Sequence, residues 1–92
     1  MTDYQSRLDD IDARLQSAEQ ALAAAGAAVA DAESARRRAD DSGDAEAFTV
    51  ADATLHTARA ARHDAFVAHM ALTDEGLRTA TEALRQQKME RP

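Results

Sequence analysis

Apolar residues recur through the first third of the chain at Tyr4, Leu8, Ile11, Leu15, Ala18, Leu22, Ala25 and Val29, in steps of 4 and 3. That alternation is a heptad seam. It belongs to a long helix that packs along its length against another helix. A chain built on it must supply a second helix, from itself or from a partner.

Composition sharpens that demand. The chain has 92 residues and is 45% apolar. Of those 41 apolar residues 24 are Ala, which leaves only 17 larger ones. Ala buries little area, and a small domain already buries a low fraction of its surface. Helical propensity, highest for Ala, and association with other helices must therefore carry much of the stability. The excess of Ala, with Arg outnumbering Lys ten to one, suggests a GC-rich bacterial genome.

One strong turn signal divides the chain: Asp40-Asp41-Ser42-Gly43-Asp44. Gly43 suits the left-handed conformation that ends a helix, and Asp44 or Ser42 can cap the next one. At the chain's beginning Thr2 and Gln5 have capping-box spacing. The sequence predicts an all-α fold, a coiled-coil-like antiparallel hairpin that forms a four-helix bundle on dimerisation. A single domain covers 1–92, with helix 1 over about 3–39, the turn over about 40–44 and helix 2 over about 45–89. Thr73-Asp74-Glu75-Gly76 resembles a helix start, so a second reading breaks helix 2 near 73 and makes three helices.

In the second half Phe48, Leu55, Phe66, Leu77 and Leu84 are spaced 7, 11, 11 and 7, a mean period of 3.6. This predicts a nearly straight stripe, joined by Met70 and interrupted by Arg59 and Arg62. The expected interaction seam is Leu8, Ile11, Leu15, Leu22, Val29, Phe48, Leu55, Phe66, Met70, Leu77 and Leu84. Facing residue numbers should add up to about 85, so that Leu8 meets Leu77, Leu15 meets Met70 and Leu55 meets Val29. Arg59 and Arg62 would then lie over the small residues Ala23 to Gly26. Ala at 21, 24, 28, 35, 58, 61, 65 and 68 would line smooth outer faces open to a partner hairpin. The acidic start, with seven acids and two Arg over residues 3–34, would lie beside the basic tail.

Sites for chemistry are scarce. There is no Cys, hence no disulfide framework and no thiolate metal site. His56, His63 and His69 stand 7 and 6 residues apart. Two His so spaced on a helix lie roughly 9–10 Å apart along the axis, too far for one metal; only Asp52–His56 has i, i+4 ligand spacing. They are read as solvated flank residues, with a metal shared between protomers as the alternative. Asp9, Asp10 and Asp12 diverge around a helix, while Asp40, Asp41 and Asp44 belong to the turn. No phosphate loop or nucleophile elbow is present, and so thin an apolar inventory does not build a water-excluding pocket. No catalytic residue, cofactor, metal or small-molecule substrate is expected, and the chain is read as no enzyme.

The net charge of −6 disfavours nucleic acid. Arg36-Arg37-Arg38 is read as a complement to the helix dipole at a helix end. No apolar run approaches the ~20 residues of a membrane span, and no basic-then-apolar leader is evident. A cytoplasmic location is expected, leaving secretion without a cleavable signal open.

The expected function is a non-enzymatic protein–protein interaction or assembly module, whose partner is another protein or itself as a homo-oligomer. Two further classes stand beside it. In architecture alone, a small acidic Cys-free hairpin with a central turn resembles the WxG-type substrates of actinobacterial specialised secretion, which implies a secreted effector or effector partner. The turn here reads Asp41-Ser42-Gly43-Asp44 with no Trp in the chain, and Glu82 to Pro92 lacks the Tyr-x-x-x-acid export signal, so no membership follows. The third class is an accessory protein of a phage or other large assembly.

Overall fold

A computed structural model describes residues 3–90. It holds two helices, α1 over Asp3–Ser42 and α2 over Ala45–Glu90. They pack antiparallel into a rod of 75 × 15 × 13 Å, and the described residues contain no strand. At 1.5 Å per residue, two such helices laid side by side account for that length.

The turn is shorter than the sequence predicts. Gly43, at φ 72°, is the one described residue with positive φ. Its N–H donates to the Asp40 carbonyl at 3.1 Å, and the Asp44 N–H donates to the Ala39 carbonyl at 3.3 Å. Those two bonds make a Schellman motif, with Gly43 as the left-handed residue. Ser42 Oγ donates to the Ala39 carbonyl at 3.0 Å. Asp44 then caps α2: its Oδ1 accepts the Ala47 N–H at 3.0 Å, and its carbonyl accepts the first helical bond from Phe48 at 2.9 Å. α1 thus continues to Ser42 instead of ending near 39, and no basic residue lies in its last turn. Thr2 lies outside the described residues; Gln5 Nε2 donates to Asp9 Oδ1 at 2.9 Å, within the helix.

The break considered near Thr73 does not occur, and α2 runs through it. Thr73 Oγ1 donates back to the His69 carbonyl at 3.0 Å instead of capping a new start. Thr49, Thr54, Thr57 and Thr81 make the same bond to the residue four before. Satisfied in this way, a Thr is compatible with a helix interior.

On α1 the heptad seam extends past Val29 through Ala32 and Arg36 to Ala39. Ile11, Val29, Ala32 and Ala39 are buried, and Tyr4, Leu8, Leu15, Ala18, Leu22, Ala25 and Arg36 are half-buried. On α2 Ala51 and Leu55 are buried, and Phe48, Ala58, Ala65, His69, Leu72, Gly76, Thr79 and Ala83 are half-buried. With Arg62 these positions also step by 3 and 4. Leu55, 1% exposed, packs with Val29, Ala32 and Ala58 in the tightest part of the core. Ala58 and Ala65 therefore line the seam, not an outer face.

The register differs from the expected one by about three residues. Ile11 Cγ2 lies 3.4 Å from where a Gly76 Cβ would be. Arg14 pairs with Glu75 at 3.4 Å, Glu19 with His69 at 3.7 Å, Arg36 with Asp52 at 3.4 Å and Glu33 with Arg59 at 3.9 Å. Facing numbers thus add up to between 87 and 92. Leu8 and Leu15 accordingly do not find Leu77 and Met70, which are 65% and 54% exposed. These cross-helix ion pairs are spread along the rod, and none joins Asp3–Asp12 to Arg85 or Lys88. Exposed as they are, each is worth about 0–1 kcal/mol.

Gly26, over which Arg59 and Arg62 were expected to lie, faces open space. A Cβ on Gly26 would meet nothing within 4 Å, whereas one on Gly76 would touch Ile11. Gly26→Ala should therefore stabilise the hairpin by up to about 1 kcal/mol through helix propensity. Gly76→Leu should overpack the seam and cost about 1–3 kcal/mol. Thermal or urea melts followed by circular dichroism check both. Leu55→Ala should cost about 2–5 kcal/mol, against a loss within about 0.5 kcal/mol for Arg37→Ala on the surface.

Candidate functional site

The large apolar residues of α2 follow a period of 3.6, but the helix pair follows 3.5. A straight α-helix drifts ~20° per heptad against a strict 7-residue repeat. Leu55 lies in the seam; some four heptads later, at Leu84, the drift amounts to roughly 80°. The stripe therefore leaves the seam as the supercoil proceeds. Of the expected seam residues, Ile11, Val29 and Leu55 are buried and Leu8, Leu15, Leu22 and Phe48 half-buried. Phe66, Met70, Leu77 and Leu84 remain 49%, 54%, 65% and 62% exposed.

Those four residues share one face. With Thr73 and Ala80 they form the series 66, 70, 73, 77, 80, 84, in steps of 4, 3, 4, 3 and 4. This is a second heptad series on the same helix, uncharged at each of its six positions and set on the flank beside the α1 seam, where Phe66 shares an open groove with Leu22 and Ala80 is half-buried. Val50, Val67 and Met89 are the other large apolar residues left exposed among those described, and they too lie on α2. α1 contributes none. Complete burial of a Leu, Met or Phe side chain is worth about 1.5–3 kcal/mol, so this row leaves several kcal/mol unclaimed in the isolated hairpin.

Polar groups converge less. Arg36 occupies a seam position, where its guanidinium reaches Asp52 and lies 5.3 Å from the centre of the Phe48 ring. Its stem covers the seam while its head stays at the surface. The Arg36–Arg38 run thus stands just before the last turn of α1, which holds no basic residue, with one member engaged across the hairpin. His56 Nε2 lies 3.5 Å from Asp52 Oδ2, and His69 pairs across the seam with Glu19. Among the described residues no three His, Asp or Glu side chains come together as metal donors.

Concavities among the described residues are open grooves. One near the tip is lined by Glu33, Arg36, Arg37, Asp40, Phe48 and Arg59. Another, lined largely by Ala35, Ala39, Ala47, Val50 and Ala51, lies on the opposite flank of the tip. No helix among the described residues is long and apolar enough to cross a membrane.

The second seam was readable in the sequence as spacing, since its large members are those of the predicted stripe. Which helix it faces was not, because that depends on how tightly the pair winds. Comparison with known proteins finds no matching family model, curated protein or solved structure. Zinc added in modest excess should leave the melting temperature of the purified protein nearly unchanged, in wild type and in His56→Ala alike. A rise of many degrees that His56→Ala abolishes would establish a metal site instead.

Proposed function

We propose that this chain is a non-enzymatic helical interaction or assembly module, and that pairing with a second hairpin completes it as a four-helix bundle. The observation that carries this reading is the uncharged row of Phe66, Met70, Leu77 and Leu84, half or more exposed. Exposed apolar rows of this kind mark interaction surfaces. An amphipathic helix laid on the row would bury it by the same steps of 3 and 4 that close the hairpin.

Surface area supports the reading. A compact monomer of 9.9 kDa exposes about 5,200 Å², whereas this rod exposes 6775 Å². The excess is about 1,600 Å², against the ~800 Å² that each partner of a standard interface gives up. A lone two-helix rod is poorly covered for its mass, and a second pair of helices along its side removes the excess.

Chemical cross-linking in the native host tests the module reading. Wild type should shift into a discrete larger species, and Leu77→Glu, which alters an exposed position, should abolish most of that shift while its helical circular dichroism is unchanged. A chain that stays uncross-linked in the host and monomeric in vitro would overturn the reading.

A further inference from the structure

Set against its own reverse, the row Phe66, Met70, Thr73, Leu77, Ala80, Leu84 on α2 places Met70 opposite Ala80 and Leu77 opposite Thr73, large against small, with Phe66 opposite Leu84 at each end. We propose that its occupant is a second copy of this chain, with the two α2 helices antiparallel about a two-fold axis near residue 75; this rests on the interaction-module reading above. Facing residue numbers then add up to 150. Phe66 meets the partner's Leu84, Met70 meets the partner's Ala80, and Leu77 meets the partner's Thr73. Symmetry repeats each contact, so all six positions are used on both copies. Moved one heptad toward the turn, the pairing leaves Ala80 and Leu84 without a counterpart. Moved the other way, it sets Met70 against the partner's Gln87.

Charge beside the row favours the same arrangement. Arg62 stands next to the partner's Glu90 at each end. Near the axis each Asp74 lies beside its own copy, and the Arg78 that each Asp74 pairs with at 3.3 Å within its own helix offsets that like-charge contact. A parallel pairing carried on toward the turn stacks Arg59 on itself. Like charges at core positions oppose it. The ~800 Å² that each partner in a stable dimer gives up is well within the excess surface of the rod. All the large apolar side chains left exposed among the described residues lie on α2, which makes α2 the helix that meets its own copy.

Sedimentation across a concentration series, together with disulfide trapping, tests the proposal. The chain has no Cys, so each introduced thiol is unique. Wild type should sediment at twice the 9.9 kDa chain mass, and Leu77→Glu should be a helical monomer. Asp74→Cys should cross-link to its own copy on oxidation. Leu84→Cys alone should not, because its two copies would lie roughly 27 Å apart along the axis. A mixture of Phe66→Cys and Leu84→Cys should give the mixed disulfide dimer. Self-cross-linking of Leu84→Cys would overturn the antiparallel arrangement. Wild type that is monomeric at every concentration would overturn self-pairing. If host cross-links sensitive to Leu77→Glu nevertheless persist, the module reading stands and the partner is a different protein.

Discussion

Everything about this molecule depends on the mismatch between 3.5 and 3.6 residues per turn. Two helices in extended contact must keep facing residues in step, and that requires a repeat of seven. α1 obeys it from Tyr4 to Ala39. α2 contains two answers at once. Its small residues, Ala51, Ala58, Ala65, Gly76 and Ala83, keep the repeat of seven and accompany α1. Of its large residues Phe48, Leu55 and Leu72 stay in the seam, while Phe66, Met70, Leu77 and Leu84 keep the straight line and separate from it. The hairpin is thus closed mainly by large side chains of α1 lying over small ones of α2, with Leu55 the buried exception.

That division explains how much could be read in advance. The two helices and the turn were legible because their signals are local: step spacing, Ala content, Gly43 and Asp44. The α1 seam was legible because strict heptads admit one face. α2 was misread past Leu55, since large residues were taken to mark the buried side. Size marks burial only when the partner has room to receive it, and here Leu8, Ile11, Leu15 and Leu22 already fill the space between the helices. The register followed the same error. Aligning large with large gave facing numbers near 85, whereas aligning large with small gives the observed values.

The acidic clusters and the histidines stay dispersed along the rod, and nothing among the described residues gathers three of them. Helix geometry disperses Asp9, Asp10 and Asp12, and it separates the three His by more than a metal can span. Thr73 was the one local signal with two physical outlets, a cap or a bond back to the preceding turn. The packing of Leu72 and Gly76 against α1 keeps the helix going, and the hydroxyl takes the second outlet.

The turn has a consequence for the route by which the chain folds. All its ties, from the Ala39 carbonyl to the Phe48 amide, span fewer than ten residues, so closing it loses little chain entropy. Each heptad away from it lengthens the loop between facing partners by about fourteen residues, seven on each helix, until Arg14 and Glu75 stand 61 apart. Because loop entropy grows only with the logarithm of length, a hairpin seeded at the tip and extended outward never meets one large entropic barrier. The tightest packing, Leu55 among Val29, Ala32 and Ala58, lies about three to four turns from Gly43, where such a zipper would engage early. The α2 row bearing Phe66 to Leu84 closes last, so the surface offered to a partner belongs to the least anchored half of the rod.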